Sequence, residues 1–165
     1  MKVIFISGKY RDIDKEAVDR NIEKAKEASI QLWGLGWASF CPQLNTAHFD
    51  GLCDDKVWLQ GDLEIVDRLR AGQDAIFALD NWETSEGAKQ EIEFAKTKGL
   101  TIYYEVMGYP TPSGGILKKH HCKDFFWVKN DLYNERICSK CGVVQEVKPI
   151  TTNPHSFPHQ FARIK

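Results

Sequence analysis

Ser85, Gly87 and Glu91 lie in the run Asp80-Asn81-Trp82-Glu83-Thr84-Ser85-Glu86-Gly87-Ala88-Lys89-Gln90-Glu91. Their types and spacing suit the binding of a phosphorylated sugar. A helix opening at Ser85 would present unpaired N–H groups and the positive end of its dipole, which attract a phosphate. The Ser85 hydroxyl adds a hydrogen bond, and Gly87 lets a ligand approach the backbone closely. Glu91 follows six residues after Ser85, about 9 Å along a helix. A carboxylate there could reach the sugar of a nucleotide whose phosphate sits at Ser85. The same three residues would also serve as a helix cap, a packing glycine and a solvated charge.

A second constellation lies near the end of the chain. Cys138-Ser139-Lys140-Cys141-Gly142 is a C-x-x-C-G knuckle, with Cys122 upstream and His120 and His121 just before it. Two thiolates at that spacing can face one ion, and Cys3His is a common structural zinc set. The expected ligands are Cys122, Cys138, Cys141 and one histidine, His120 before His121, because adjacent residues rarely both reach one ion. Four protein ligands leave no open position, so the expected Zn2+ is structural. About 30 residues bury too little surface to fold unaided, and the metal would supply folding energy. The other reading is a set of free thiols.

These groups need elements to position them. Residues 3–6 form a continuous apolar run, which predicts a strand buried on both faces. Apolar residues recur at helical spacing over 14–33, and Gly34 and Gly36 end that helix. Residues 37–40 read as a second strand stopped by Pro42, followed by a loop over 45–54. A helix is expected over 56–69 with Val57, Ile65, Val66 and Leu69 inward. A buried strand over 75–79, a loop over 80–85, a helix over 86–98 and a strand over 101–104 complete the series. Strands alternating with helices imply a Rossmann-like, flavodoxin-like parallel sheet flanked by helices. Such sheets bind ligands at the carboxyl ends of their strands. The loops 8–11, 42–48 and 80–87 should therefore meet there. In them Gly8 is a candidate substrate contact, Tyr10 could stack or hydrogen-bond, and Arg11 could pair a phosphate. Asn45 could read a base edge and His48 could donate into the pocket.

The expected organisation is an α/β domain over 1–107, a linker over 108–117, a zinc ribbon over 118–148 and a tail over 149–165. The linker assignment rests on two Pro and three Gly within eight residues. In the ribbon, residues 124–127 and 137–144 would be two small strands, with Phe126, Trp127 and Val143 between them. Five cysteines, an odd count, argue against a disulfide framework. A net charge of −1 lacks the basic excess of a non-specific nucleic-acid binder, which favours a small-molecule partner. Lysines 118, 119, 123, 129 and 140 leave weak nucleic-acid contact through the ribbon open. No apolar run approaches a membrane span, and the short apolar start is unlike a secretion signal, so the cytoplasm is the expected compartment.

The pattern D-x-W-x-x-S-x-G-A-x-x-E-x-x-x-A, supplied by Asp80, Trp82, Ser85, Gly87, Ala88, Glu91 and Ala95, resembles the signature of the nucleoside 2-deoxyribosyltransferase superfamily. That superfamily includes a nucleotide N-glycosidase branch and phage and bacterial relatives that show this pattern. Segments 4–10, Asn21 with Ala25 and Ala28, residues 41–49, and Asp62-Leu63-Glu64 agree, so the likeness covers about residues 1–105. The resemblance implies that Glu91 is a nucleophile that attacks the anomeric carbon and expels the base. It implies that Asp62 assists the leaving base. The segment between Asp62 and Asp74 is longer than in the family, which keeps Asp67 as the alternative. It also implies a homo-oligomer.

Deoxyribosyltransferases proper carry an aspartate where this chain has Ser85, whereas the nucleotide-hydrolysing branch carries serine. An aspartate would repel a phosphate and a serine would attract one, so the expected substrate is a 5′-monophosphate. At pH 7 an ordinary glutamate is ionised and able to act as nucleophile. Two other function classes stand beside this one. The first is base exchange on the same scaffold. The second is nucleotide or nucleic-acid binding without turnover.

Overall fold

The structure is a computed structural model. It describes residues 1–117 and, as backbone only, residues 125–129, 133–138 and 144–149. The chain divides into two units, Met1–Lys119 and His120–Lys165.

The first unit is a four-stranded parallel sheet in the order β2-β1-β3-β4, flanked by helices. Its elements are β1 (Val3–Ser7), α1 (Lys15–Gly34), β2 (Ala38–Phe40), the single turn α2 (Pro42–Asn45), α3 (Asp55–Asp67), β3 (Ala75–Ala78), α4 (Glu86–Thr97) and β4 (Thr101–Tyr104). In register, Phe5 lies opposite Phe40 of β2 and Ile76 of β3, and Ile76 lies opposite Ile102 of β4. This is a Rossmann-like α/β arrangement. The chain reverses its direction of travel across the sheet between β1 and β3, and crevices at such points bind ligands in open α/β sheets.

Alternation along the strands builds two cores. Ile4, Ile6, Ala75 and Phe77 point to one face, where Ala25, Ala28 and Leu32 of α1 cover them. Phe5, Ile76 and Ala78 point to the other, where Val66 of α3 and Ile92 and Ala95 of α4 pack. Helix α1 starts where the Asp14 carboxylate accepts the Ala17 N–H, and Gly36 beyond its end takes a φ of 93°.

The sheet also dictates one glycine. A Cβ on Gly8 would stand 2.5 Å from Leu79 Cδ1 and 2.9 Å from Leu79 Cβ. Gly8→Ala must therefore displace Leu79, a fully buried residue. It should destabilise the unit by about 1–3 kcal/mol, measured as a lower midpoint in urea unfolding with an unchanged slope.

Several expectations change here. Val57 is exposed, because α3 turns Ile65 and Val66 inward instead, joined in that core by Leu69 just beyond its end. Pro42 does not merely stop a strand. It opens α2 from its first position, where its missing N–H costs nothing. The expected linker is tied to the first unit. β5 (Tyr109–Pro110) pairs antiparallel with β6 (Ile116–Leu117). Tyr109 enters the core beside Phe77, and the Trp37 indole N–H donates to the Pro110 carbonyl at 2.7 Å. An apolar aromatic next to the turn residues overrides their linker-like composition.

In the second unit β7 (Phe125–Lys129), β8 (Tyr133–Cys138) and β9 (Val144–Pro149) form an antiparallel sheet in that order. Among the described residues there are three strands where two were expected. Of the expected strand over 137–144, Ile137 and Cys138 end β8 and Val144 begins β9, and residues 139–143 lie outside the described residues. The expected zinc ligands His120, Cys122 and Cys141, with the alternative His121, lie outside the described residues. So do the Cys138 side chain, those of Phe126 and Trp127, Val143, and the tail beyond residue 149. Among the described residues, no helix is long and apolar enough to cross a membrane, and no cluster of three His, Cys, Asp or Glu is placed to hold a metal.

Candidate active site

At the carboxyl ends of β1 and β3 a cleft of 410 Å³ opens, a volume suited to a small ligand. The three expected loops do meet there. Gly8, Tyr10 and Arg11 line it from the loop after β1, Gln43 from α2 and Thr46 from just after it, and Ser85 and Gly87 from the start of α4. α3 contributes Asp62, with Trp58 and Leu59 beside it, and α4 contributes Glu91.

The loops are tied to one another. Asn81 accepts the Lys9 N–H at 3.1 Å and donates to Asn21 Oδ1 at 3.3 Å. Asn21 in turn donates to the Tyr10 carbonyl at 3.2 Å. Gln43 Nε2 donates to the Gly8 carbonyl at 3.1 Å, which joins the β1 and β2 loops beneath the cleft. Trp82 stays out of this cleft. It packs against Tyr104 with ring centroids 5.9 Å apart.

Ser85 is the N-cap of α4, and its hydroxyl accepts the Ala88 N–H at 3.3 Å. It stands at the cleft wall as well, so the cap is also a polar group offered to a ligand. A Cβ on Gly87 would lie 3.9 Å from both Ser85 Oγ and Leu59 Cδ1. The protein itself has room for that carbon, so the open space beside Gly87 belongs to the cleft.

Glu91 is 6% exposed, and Ser7, at the end of β1, donates its hydroxyl to Glu91 Oε2 at 2.6 Å. Burial pushes the Glu91 carboxyl up to about 8. The Ser7 hydrogen bond opposes that rise and the charge of Asp62 adds to it. Burial alone lifts Asp62 to about 6. The pair therefore holds a proton at neutral pH. That corrects the expectation of a simply ionised Glu91, because desolvation disfavours the charged form. Asp67 is settled differently: it is exposed, ion-paired with Lys98 at 2.7 Å, and off the cleft.

Two expected pocket residues are not in it. α2 begins at Pro42 and turns Gln43 to the cleft, as its C-cap Thr46 also does, leaving Asn45 exposed. His48 adopts a left-handed φ of 61°, and its exposed ring lies 3.9 Å from Asp19 of α1. Only its backbone takes part, donating its N–H to the Tyr10 hydroxyl at 3.0 Å. Arg11 reaches the cleft but is ion-paired with Asp50 and Asp55 and stacked beside Tyr10. A phosphate would have to compete with two carboxylates for it.

Sequence reasoning missed Ser7, Gln43, Asp50 and Asp55. Ser7 had one available signal: a lone hydroxyl closing the apolar run Val3–Ser7. Gln43 and the two aspartates had none, since their place depends on how α2 and the following loop fold back.

A protein-family model described as Domain of unknown function (DUF4406) matches residues 3–104. No curated protein matches the chain.

Proposed function

We propose that this chain, which belongs to the DUF4406 family, cleaves the N-glycosidic bond of (deoxy)nucleoside 5′-monophosphates through Glu91. The observation that carries the reading is the placement of Glu91. It is a buried carboxylate on α4, in the same cleft as Asp62 and the Ser85 end of that helix. The phosphate docks at the Ser85 hydroxyl and the N–H groups of the first turn of α4. Sugar and base then extend along the helix toward Glu91 and α3.

The chemistry follows from the two carboxyls. An oxygen of ionised Glu91 bonds to the anomeric carbon as the bond from that carbon to the base nitrogen breaks. The bonding electron pair leaves with the base, and Asp62 supplies its proton. Water then attacks the same carbon, gives a proton to Asp62, and returns the electron pair to the Glu91 carboxylate. The oxocarbenium character of both transition states is stabilised by the adjacent negative charge. Asp62 serves as acid in one step and base in the other.

The test is chromatographic detection of free base from ribo- and deoxyribonucleoside 5′-monophosphates and from the matching nucleosides, with and without an added acceptor base. Release from a monophosphate supports the reading, and the preferred compound names the sugar and base. The working form carries the pair's single proton on Asp62 with Glu91 ionised, the minor arrangement of the singly protonated pair because Glu91 is the weaker acid. On this account kcat/KM should follow a bell in pH with limbs near the two carboxyl values, about 6 and about 8. Exchange with the added base in place of hydrolysis would make the protein a transferase on the same residues. Absence of both reactions from every compound would leave a nucleotide-binding protein and end the catalytic proposal.

A further inference from the structure

A short side-chain contact joins two buried groups, one of which lines the cleft. Ser7 is fully buried, and its Oγ stands 2.6 Å from Glu91 Oε2 and 3.4 Å from the Ala88 carbonyl in the first turn of α4. Its backbone is fixed by the sheet: Ser7 is in register with Ala78 of β3, and its carbonyl accepts the Leu79 N–H at 2.9 Å. The other carboxyl oxygen, Oε1, has no hydrogen bond among the described residues. No fully buried side-chain oxygen or nitrogen among them lacks a partner, so Oε1 is accessible, and Glu91 lines the cleft.

We propose that Ser7 is a positioning residue for Glu91. Its hydroxyl anchors Oε2 to the end of β1, which makes Oε1 the attacking oxygen, and it serves both protonation states of the carboxyl. With Glu91 ionised, the Ser7 O–H donates to Oε2. With Glu91 protonated, the hydroxyl turns to the Ala88 carbonyl and accepts from the carboxylic acid. The inference rests on the reading of Glu91 as nucleophile.

Each step uses this arrangement. When Oε1 bonds to the anomeric carbon and the base leaves with its electron pair, Oε2 becomes the ester carbonyl and keeps the Ser7 hydrogen bond. When water displaces Oε1 from that carbon, the electron pair returns to a carboxylate that Ser7 already solvates. Such a donor favours the charged form more than the neutral one, and so makes Glu91 easier to ionise and better as a leaving group. Among the described residues Asp62, on α3, is the titratable group that acts on Glu91, and it acts in the opposite direction. β1 brings only the hydroxyl.

The experiment titrates Glu91 directly. The protein is labelled with glutamate carrying 13C at the side-chain carboxyl, and the Glu91 resonance is identified by its loss in Glu91→Gln. Wild type, Ser7→Ala and Ser7→Cys are compared, with thermal unfolding to verify the fold. Ser7→Ala should raise the Glu91 midpoint by roughly 1 to 2 pH units, and the weaker thiol donor should fall between. In the base-release assay the limb set by Glu91 should move by the same amount, with kcat lowered and KM little changed. An unchanged Glu91 midpoint in a folded Ser7→Ala protein overturns the proposal. If the midpoint moves but no base is released by any variant, the hydrogen-bond coupling stands while the glycosidase reading and the positioning role both fail.

Discussion

Glu91→Gln should abolish base release, lowering kcat by roughly 10³-fold or more, while the fold is kept and a nucleoside monophosphate still binds. The amide is nearly the shape of the carboxylic acid and offers Ser7 a partner at the same place. It has no oxygen able to form the glycosyl ester. The variant should also differ in how stability depends on pH. The Glu91 carboxyl has an ordinary value of 4.5 and is raised to about 8 by the fold. Between those values the folded state binds a proton that the unfolded state has released. Stability is therefore unaffected by this group below about 4.5, falls as pH rises toward 8, and is lowest above it. Glutamine removes that penalty. Urea unfolding at pH 5 and pH 8.5 should show the variant gaining on the wild type by several kcal/mol at the higher pH. Equal pH slopes in the two proteins would mean that Glu91 is not a buried titrating acid. Retained base release would mean that another group attacks.

Ser85→Asp should separate phosphate recognition from the rest of the site. Aspartate caps helices as well as serine does, so α4 should still begin at Glu86 and Glu91 should stay in place. The new carboxylate would stand where the phosphate docks. Two unit charges about 4 Å apart repel by about 4 kcal/mol at an effective dielectric of 20, and an open cleft screens part of this. The expected result is a loss of about 10²-fold in kcat/KM for monophosphates, mostly in KM, with free nucleosides unaffected. The discrimination between the two compounds is the measurement. A uniform loss for both would show that Ser85 acts only as the cap. No loss for either would place the phosphate elsewhere, with Arg11 released from Asp50 and Asp55 as the next group to test.

Periodicity and punctuation determined a large part of this molecule. Apolar runs over 3–6 and 75–79, the helical spacing of 14–33 and the glycines that end helices were local properties of the chain, and the parallel α/β sheet followed from their alternation. Ser85 as an N-cap was likewise local, since the cap and its N–H partner are three residues apart. Tertiary structure decided the rest through contacts between distant residues. Tyr109 fills core space beside Phe77, and that burial turns a Pro- and Gly-rich stretch into a docked hairpin. One helical turn at Pro42 sends Gln43 inward and Asn45 outward. Ser7 and Glu91, 84 positions apart in sequence, share a hydrogen bond because β1 lies beneath α4. The state of Glu91 is the sharpest case. Its residue type implies a charge at neutral pH, and only burial between a helix and the sheet, with Asp62 nearby, raises its pKa to a value at which it can gain and lose a proton.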